Sequence, residues 1–226
     1  MAENVSGALK DRKTELDSFA VNIELLLISV IQGVALGSLA TASSVAVDGA
    51  TIPILLYIAA SFLIILNFWS QAIIHTLSFI DWPLDMIHNF LYFLIAFIEV
   101  IAFSHITNPL LWFGFMTVFF FVAAILYLFD LHLIRSHEKK FEGTEAGQKL
   151  YKHILKRELF EAKYLVPLAV LYSLICFVAM YFWPETFLQQ NWQIALIGIQ
   201  VVFAGFSLYD SVRNFNTRTR LIAQNT

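Results

Sequence analysis

The chain has 226 residues, of which 59% are hydrophobic and 14% are charged. A soluble globular domain is about half apolar and about a quarter charged, so this composition argues against a water-soluble fold and favours a chain surrounded by lipid. The formal net charge of −3 argues against nucleic acid as a partner, because proteins that bind it carry a strongly basic surface.

The first 19 residues form a polar tail of mixed charge, and an apolar stretch follows from about Val21. This stretch is too long for the core of a signal peptide, which spans about 7–15 residues, so we interpret it as a retained helix. Gly33 and Gly37 lie in it, separated by three residues. Small residues at this spacing let two helix backbones approach closely. The two glycines are therefore predicted packing positions, either for another helix of the same chain or for a second copy.

Six apolar stretches are each long enough to cross a bilayer, whose core requires about 20 residues of helix. They cover residues 20–43, 52–79, 84–107, 109–134, 164–183 and 190–212. Short connectors, several of which contain proline, separate most of them and predict antiparallel hairpins. The sequence therefore predicts an all-α, polytopic membrane protein with four helices in residues 20–134 and two in residues 164–212.

Every Lys and Arg of the chain lies in one of three segments outside these helices. They are the N-terminal tail, residues 1–19, the loop of residues 135–163, and the C-terminal tail, residues 213–226. Six crossings put all three segments on one side, and the positive-inside rule makes that side the cytoplasm. Five or seven crossings would divide the basic residues between the two sides. The predicted location is the bacterial inner membrane, or another membrane whose basic loops face the cytoplasm.

The loop between the fourth and fifth helices is the only connector long enough to have its own structure. Leu150, Tyr151, Ile154 and Leu155 recur in it at helical spacing among lysines and glutamates. This pattern predicts an amphipathic helix that lies on the inner leaflet or packs against another subunit. Residues 140–160 are accordingly the predicted contact for a cytoplasmic protein partner.

Two neighbouring predicted helices each carry a stripe of polar side chains. The stripes comprise Asn67, Gln71 and His75 in the second helix, and Asp85, His88, Tyr92 and Glu99 in the third. At about 100° of rotation per residue, the four positions of the third helix fall within about 60° of arc. Ionisable groups are costly inside a bilayer, so each one is a functional candidate. Because a short turn joins the two helices, the stripes are predicted to face each other or a shared cavity.

These stripes predict a channel or transporter for a small cation or a proton, with the seven residues lining its pathway. We find no Lys or Arg at membrane depth in the sequence to neutralise them, so the carboxylates would attract the cation and the histidines would make conduction depend on pH. Glu99 lies deepest in the membrane, and its replacement by Gln is expected to abolish or strongly reduce flux. A bundle of six helices barely encloses a wide pathway, which favours a homo-oligomer.

Two other classes of function stay open. His75, Asp85 and His88 offer the imidazole and carboxylate ligands of a metal site, and such a site predicts a membrane-embedded enzyme acting on a lipid or another apolar substrate. The sequence lacks a recognised zinc spacing, a nucleophile elbow and a phosphate-binding loop, so it identifies no catalytic residue and specifies no cofactor. The third class is a non-catalytic membrane subunit or effector that binds its partner through residues 140–160.

Overall fold

The computed structural model describes residues 2–47, 51–79, 86–136, 138 and 145–223. Within these residues every regular element is helical and no strand occurs. The helices are α1 (Ala2–Val47), α2 (Ile52–Phe79), α3 (Met86–Ser104), α4 (Pro109–Ser136), α5 (Glu145–Phe160), α6 (Val166–Phe182) and α7 (Gln193–Ala223). Single π-helical turns, Glu161–Leu165 and Glu185–Gln189, precede α6 and α7.

Six helical segments are long and apolar enough to span a membrane, which confirms the predicted number. They are α1, α2, α3, α4, the α5–α6 segment and α7. The second agrees with the predicted residues 52–79 at both ends, and α4 begins at the predicted Pro109. The third ends at Ser104, because the next three residues form a turn.

The outward surface of these helices is apolar along the whole bundle. Large exposed side chains occur on all six segments, among them Leu26, Phe62, Phe97, Phe121, Leu168 and Val202. Water-soluble monomers rarely expose contiguous apolar patches larger than a few hundred Å². The surface therefore fits an integral membrane protein in contact with lipid.

The helices pack in a connected bundle in which α2 contacts α1 and α7, α4 contacts α3 and α6, and α1 contacts α3. We call one end of this bundle the basic end. It is the end at which α1, α3 and α5 begin and α2, α4 and α7 end, and each Lys and Arg among the described residues lies toward it.

Toward the opposite end the interior is filled with aromatic side chains. Tyr57 and Trp112 are almost completely buried and meet edge to face, with ring centroids 5.2 Å apart. Trp112 Nε1 donates a hydrogen bond to Ser61 Oγ at 3.1 Å, which satisfies the one polar atom of the indole. Phe113 packs against both rings. The rings of Tyr57, Trp112 and Phe113 therefore form a closely packed aromatic core in this half of the bundle.

The α5 helix continues into α6 through the π-helical turn, without a non-helical residue between them. Its buried face packs onto α4, where Tyr151 and Ile154 contact Ile134, while Lys152 and Lys156 are exposed. A helix, α5, occupies the second half of the loop. Its amphipathic character and its contact with a leaflet or with a cytoplasmic partner stay predictions, and residues 140–144 of the predicted contact lie outside the described residues.

The two predicted packing glycines do not bring helices together within this chain. A Cβ atom added at Gly33 or Gly37 would meet no atom within 4 Å in the described part of the structure. In contrast, a Cβ at Gly114 of α4 would lie 3.1 Å from the Phe177 ring of α6. Gly114 therefore permits the close packing of α4 and α6. The homo-oligomer expected from the sequence stays a prediction.

Candidate functional site

Three helices bring two imidazoles and a carboxylate together at the basic end. His75 lies near the end of α2, His88 near the start of α3, and Asp130 near the end of α4. Asp130 Oδ1 is 3.1 Å from His88 Nε2 and 3.5 Å from His75 Nε2. The exposed fractions are 4% for His75, 1% for His88 and 6% for Asp130. These three residues are called the His-Asp cluster below.

A second carboxylate contacts the cluster from α1. Glu24 is 1% exposed, and its Oε1 lies 3.6 Å from His88 Nδ1. With its amide nitrogen facing Glu24, Asn89 donates to the two carboxylate oxygens at 2.6 and 2.8 Å. Each ring nitrogen of His88 therefore faces a different carboxylate, and the imidazole is fixed in orientation from both sides.

A cavity of about 120 Å³ borders the His-Asp cluster inside the bundle. Its polar lining consists of Asn67, Gln71, His75, Tyr92, Tyr127, Asp130, Glu158, Glu161, Gln200 and Ser207. These side chains come from α2, α3, α4, the α5–α6 segment and α7. The cavity thus has a mostly apolar lining into which five of the six spans place polar side chains.

Two amides of the α2 stripe connect that helix to α7 while they line the cavity. Asn67 Nδ2 donates to the backbone oxygen of Ala204 at 2.8 Å, and Gln71 Nε2 donates to Ser211 Oγ at 2.9 Å. The same Gln71 nitrogen lies 3.5 Å from Glu161 Oε1. Interhelical hydrogen bonds of this kind stabilise the packing of membrane helices, so these residues have a structural role as well as a place in the cavity wall.

Charged residues of α5, the π-helical turn and α7 surround the cavity at the basic end. We call them the ionic cluster: Arg157, Glu158, Glu161, Asp210 and Arg218. Arg157 pairs with both Glu161 and Asp210, and Arg218 Nη2 lies 3.7 Å from Glu158 Oε1. Glu158 and Glu161 are buried and line the cavity. Glu161 begins the π-helical turn, an irregularity that often occurs at functional sites.

The sequence predicted no Lys or Arg that would neutralise the polar stripes, whereas in the structure two arginines pair with acids beside the cavity. Arg157 was assigned to a loop and Arg218 to the C-terminal tail. Because α5 is continuous with α6, and α7 extends to Ala223, both guanidinium groups pack onto the bundle and reach buried carboxylates.

The predicted pathway residues fall into separate groups. Asn67, Gln71, His75 and Tyr92 line the cavity, and His88 contacts its wall through Asp130. Glu99 does not line it. Asp85, predicted both in the pathway and as a metal ligand, lies outside the described residues.

Glu99 lies elsewhere because it is farther along the axis of α3 than His88. It is eleven residues from His88, which corresponds to about 16 Å along the helix axis. It is completely buried against α1, where Gln32 Nε2 donates to Glu99 Oε2 at 3.3 Å. The stripe on α3 therefore serves two polar contacts at different depths.

Several residues of the site were absent from the predicted pathway. They are Glu24, Asp130, Glu158, Glu161 and Gln200. Glu24 and Asp130 are recognisable as acids within apolar runs, but nothing in the sequence indicates that they contact His88. Glu158 and Glu161, at positions i and i+3, share one face of a helix that was assigned to a loop and not to a span.

Comparison with known proteins gives no match to a family model, a curated protein or a solved structure. The chemistry of the site is therefore the basis for its function. Carboxylate oxygens and imidazole nitrogens converge on a small interior, and such groups are ligands for cations.

Proposed function

We propose that the chain carries a small cation, a proton included, across a membrane, and that the cavity is a binding site on its route. The observation that carries this proposal is the position of Asp130, between two imidazoles and at the cavity wall. Glu158 and Glu161 line the same space. Burying so many acids is costly, and ionisable residues inside membrane proteins commonly mark ion pathways.

The size of the cavity favours an ion over a larger substrate. Pockets for drug-sized ligands usually have volumes of about 300–1,000 Å³, whereas this cavity has about 120 Å³. The space suits an ion together with some of its hydration water.

The packing toward the opposite end supports a transporter over an open channel. Ser61, Trp112 and Met116 are completely buried on the far side of the cavity. In this conformation they separate the cavity from the opposite end. Transport would then require the bundle to alternate between two states, as transporters with a central site do.

The proposal places the basic end in the cytoplasm, as the positive-inside rule requires. Both termini and α5 then lie on that side, with the exposed Lys152 and Lys156 near the headgroups of the inner leaflet. A cysteine introduced at the exposed Gln148 of α5 tests this orientation. In intact cells it should resist a membrane-impermeant thiol reagent and react after permeabilisation. Labelling in intact cells would reverse the orientation.

Cation flux into liposomes tests the transport function. A larger side chain that fills the cavity tests whether the cation passes through it. Ala123 of α4 lines the cavity, whereas the adjacent Ala124 does not. We expect the wild-type protein to support uptake of at least one of H⁺, Na⁺, K⁺ or Zn²⁺. Ala123→Leu should remove most of this flux, and Ala124→Leu, which adds the same volume, should retain it.

Two results would count against this assignment. Wild-type protein that is folded and inserted, yet conducts none of the four cations, would remove the transport proposal. Equal flux in the Ala123→Leu and Ala124→Leu proteins would place the route outside the cavity.

The second candidate is a membrane-embedded metal-dependent enzyme. The His-Asp cluster favours it, because catalytic zinc sites commonly have three protein ligands and one open position. This function predicts turnover of a substrate that a chelator abolishes, without net movement of an ion into liposomes. Ion flux that requires an intact cavity would favour transport.

A further inference from the structure

We infer that His75, His88 and Asp130 bind a divalent first-row transition metal ion, Zn²⁺ being the best fit, at the wall of the cavity. The inference rests on the proposed function, because it names the class of cation that the cavity would carry. It differs from the metal site predicted from the sequence by having Asp130 of α4 as the carboxylate ligand.

The two distances from Asp130 to the imidazoles are close to those between ligand atoms in a metal site. In a tetrahedral zinc site with bonds of about 2.0–2.1 Å, two ligand atoms lie about 3.3 Å apart. The contacts of Asp130 with His88 and His75 are 3.1 and 3.5 Å. One potential ligand atom from each of the three residues lies within 4.8 Å of the other two. Small side-chain movements therefore suffice for all three to bind one ion.

Glu24 supplies an independent observation. A histidine bound to a metal usually donates its other ring N–H to a carboxylate, which fixes the tautomer and the ring orientation. His88 Nε2 faces Asp130, and Nδ1 faces the buried Glu24 at 3.6 Å. Asn89 in turn donates to Glu24. The separation of 3.6 Å is longer than a hydrogen bond, and a small movement of either side chain would produce the outer contact expected around a metal-bound histidine. Such a role would account for the burial of the Glu24 carboxylate of α1 beside the His88 imidazole of α3.

The ligand types select the class of metal. Ca²⁺ takes six to eight oxygen ligands, and Mg²⁺ requires near-octahedral oxygen coordination. Two imidazoles with one carboxylate suit Zn²⁺ and its neighbours in the first transition row. Because His75 and Asp130 also line the cavity, the remaining coordination position would face that space, where an ion or its bound water can exchange.

Equilibrium binding of Zn²⁺ to the full-length protein in detergent tests the inference. We expect metal-free protein to bind one Zn²⁺ per chain in competition with a chelating dye. His75→Gln, His88→Gln and Asp130→Asn should each weaken binding by about a hundredfold or more, since loss of an outer partner alone costs about 10–100-fold. Glu24→Gln, which changes an outer partner, should weaken Zn²⁺ binding by about 10–100-fold. His132→Gln, an exposed histidine on α4, should bind as the wild type does.

The outcomes separate this inference from the proposed function. Absence of stoichiometric Zn²⁺ binding, equal binding of Mg²⁺ or Ca²⁺, or unchanged affinity in the three ligand variants would overturn it. Zn²⁺ binding without cation flux would support the metal site and contradict the transport function. Flux of another cation without Zn²⁺ binding would support the transport function and contradict the metal site.

Co²⁺ substitution of the wild-type protein covers the case in which the variants fail to fold. We expect the intense visible absorption of four-coordinate Co²⁺ with nitrogen and oxygen ligands, and displacement of that signal by Zn²⁺. A weak spectrum typical of hydrated Co²⁺ would overturn the inference.

Discussion

Replacing Arg218 by Met is expected to lower the free energy of unfolding by about 3–5 kcal/mol, the usual cost of removing one partner of a buried ion pair. Arg218 is 3% exposed, and its guanidinium lies 3.7 Å from the carboxylate of Glu158, which is 5% exposed. The substitution keeps most of the apolar volume and leaves Glu158 and the nearby Glu161 with less positive charge beside them. The free energy of unfolding falls mainly because the buried carboxylate of Glu158 is left without its partner.

Unfolding in mixed micelles with a rising fraction of denaturing detergent measures this effect. Arg220→Met is the matched control, because Arg220 lies on the exposed side of α7 and should change stability by less than about 0.5 kcal/mol. Adding Glu158→Gln to Arg218→Met should recover part of the loss, since the pair couples. An Arg218→Met protein as stable as the Arg220→Met control would contradict the assignment of a buried ionic cluster.

Replacing Asp130 by Asn is expected to reduce cation flux by about a hundredfold or more, because removing a direct ligand should exceed the 10–100-fold cost of losing an outer one. The two side chains have nearly the same shape, so the change removes charge and leaves the packing in place. Asp130 contacts both His75 and His88. In the Asp130→Asn protein a bound cation would therefore lose the negative charge that lies between the two imidazoles.

Flux of Asp130→Asn should be compared with two other carboxylate variants. Glu185→Gln, exposed at the opposite end of the bundle, should conduct as the wild type does. Glu99→Gln distinguishes two routes, because Glu99 contacts Gln32 of α1 and does not line the cavity. Flux that persists in Asp130→Asn and disappears in Glu99→Gln would place the route past Glu99, between α1 and α3, and outside the cavity.

The spans could be predicted because a bilayer imposes one length on every helix that crosses it. The agreement at α2, residues 52–79, follows from that constraint. The extent of α5 and α7 was harder to predict, because charged residues end an apolar stretch without ending a helix. Arg157 and Arg218 lie in such extensions, which is why the ionic cluster was not foreseen.

The stripes on α2 and α3 could also be predicted, because helical periodicity fixes which residues share a face. Periodicity does not say which helix that face meets. His75 and His88 do lie together, with ring centroids 5.0 Å apart, but their shared carboxylate comes from α4. Glu99 belongs to the same face of α3 and yet meets α1. These contacts depend on the three-dimensional order of the helices, which the pattern of a single helix does not encode.

A crystal structure of the protein grown with Zn²⁺ or Co²⁺, with anomalous diffraction data at the metal edge, would show whether a metal ion binds the His-Asp cluster. We expect one strong anomalous peak per chain, about 2.0–2.2 Å from ligand atoms of His75, His88 and Asp130. Density for a water or second ion should lie in the adjoining cavity. A structure at saturating metal in which these three side chains bind no ion, or point away from one another, would contradict this expectation.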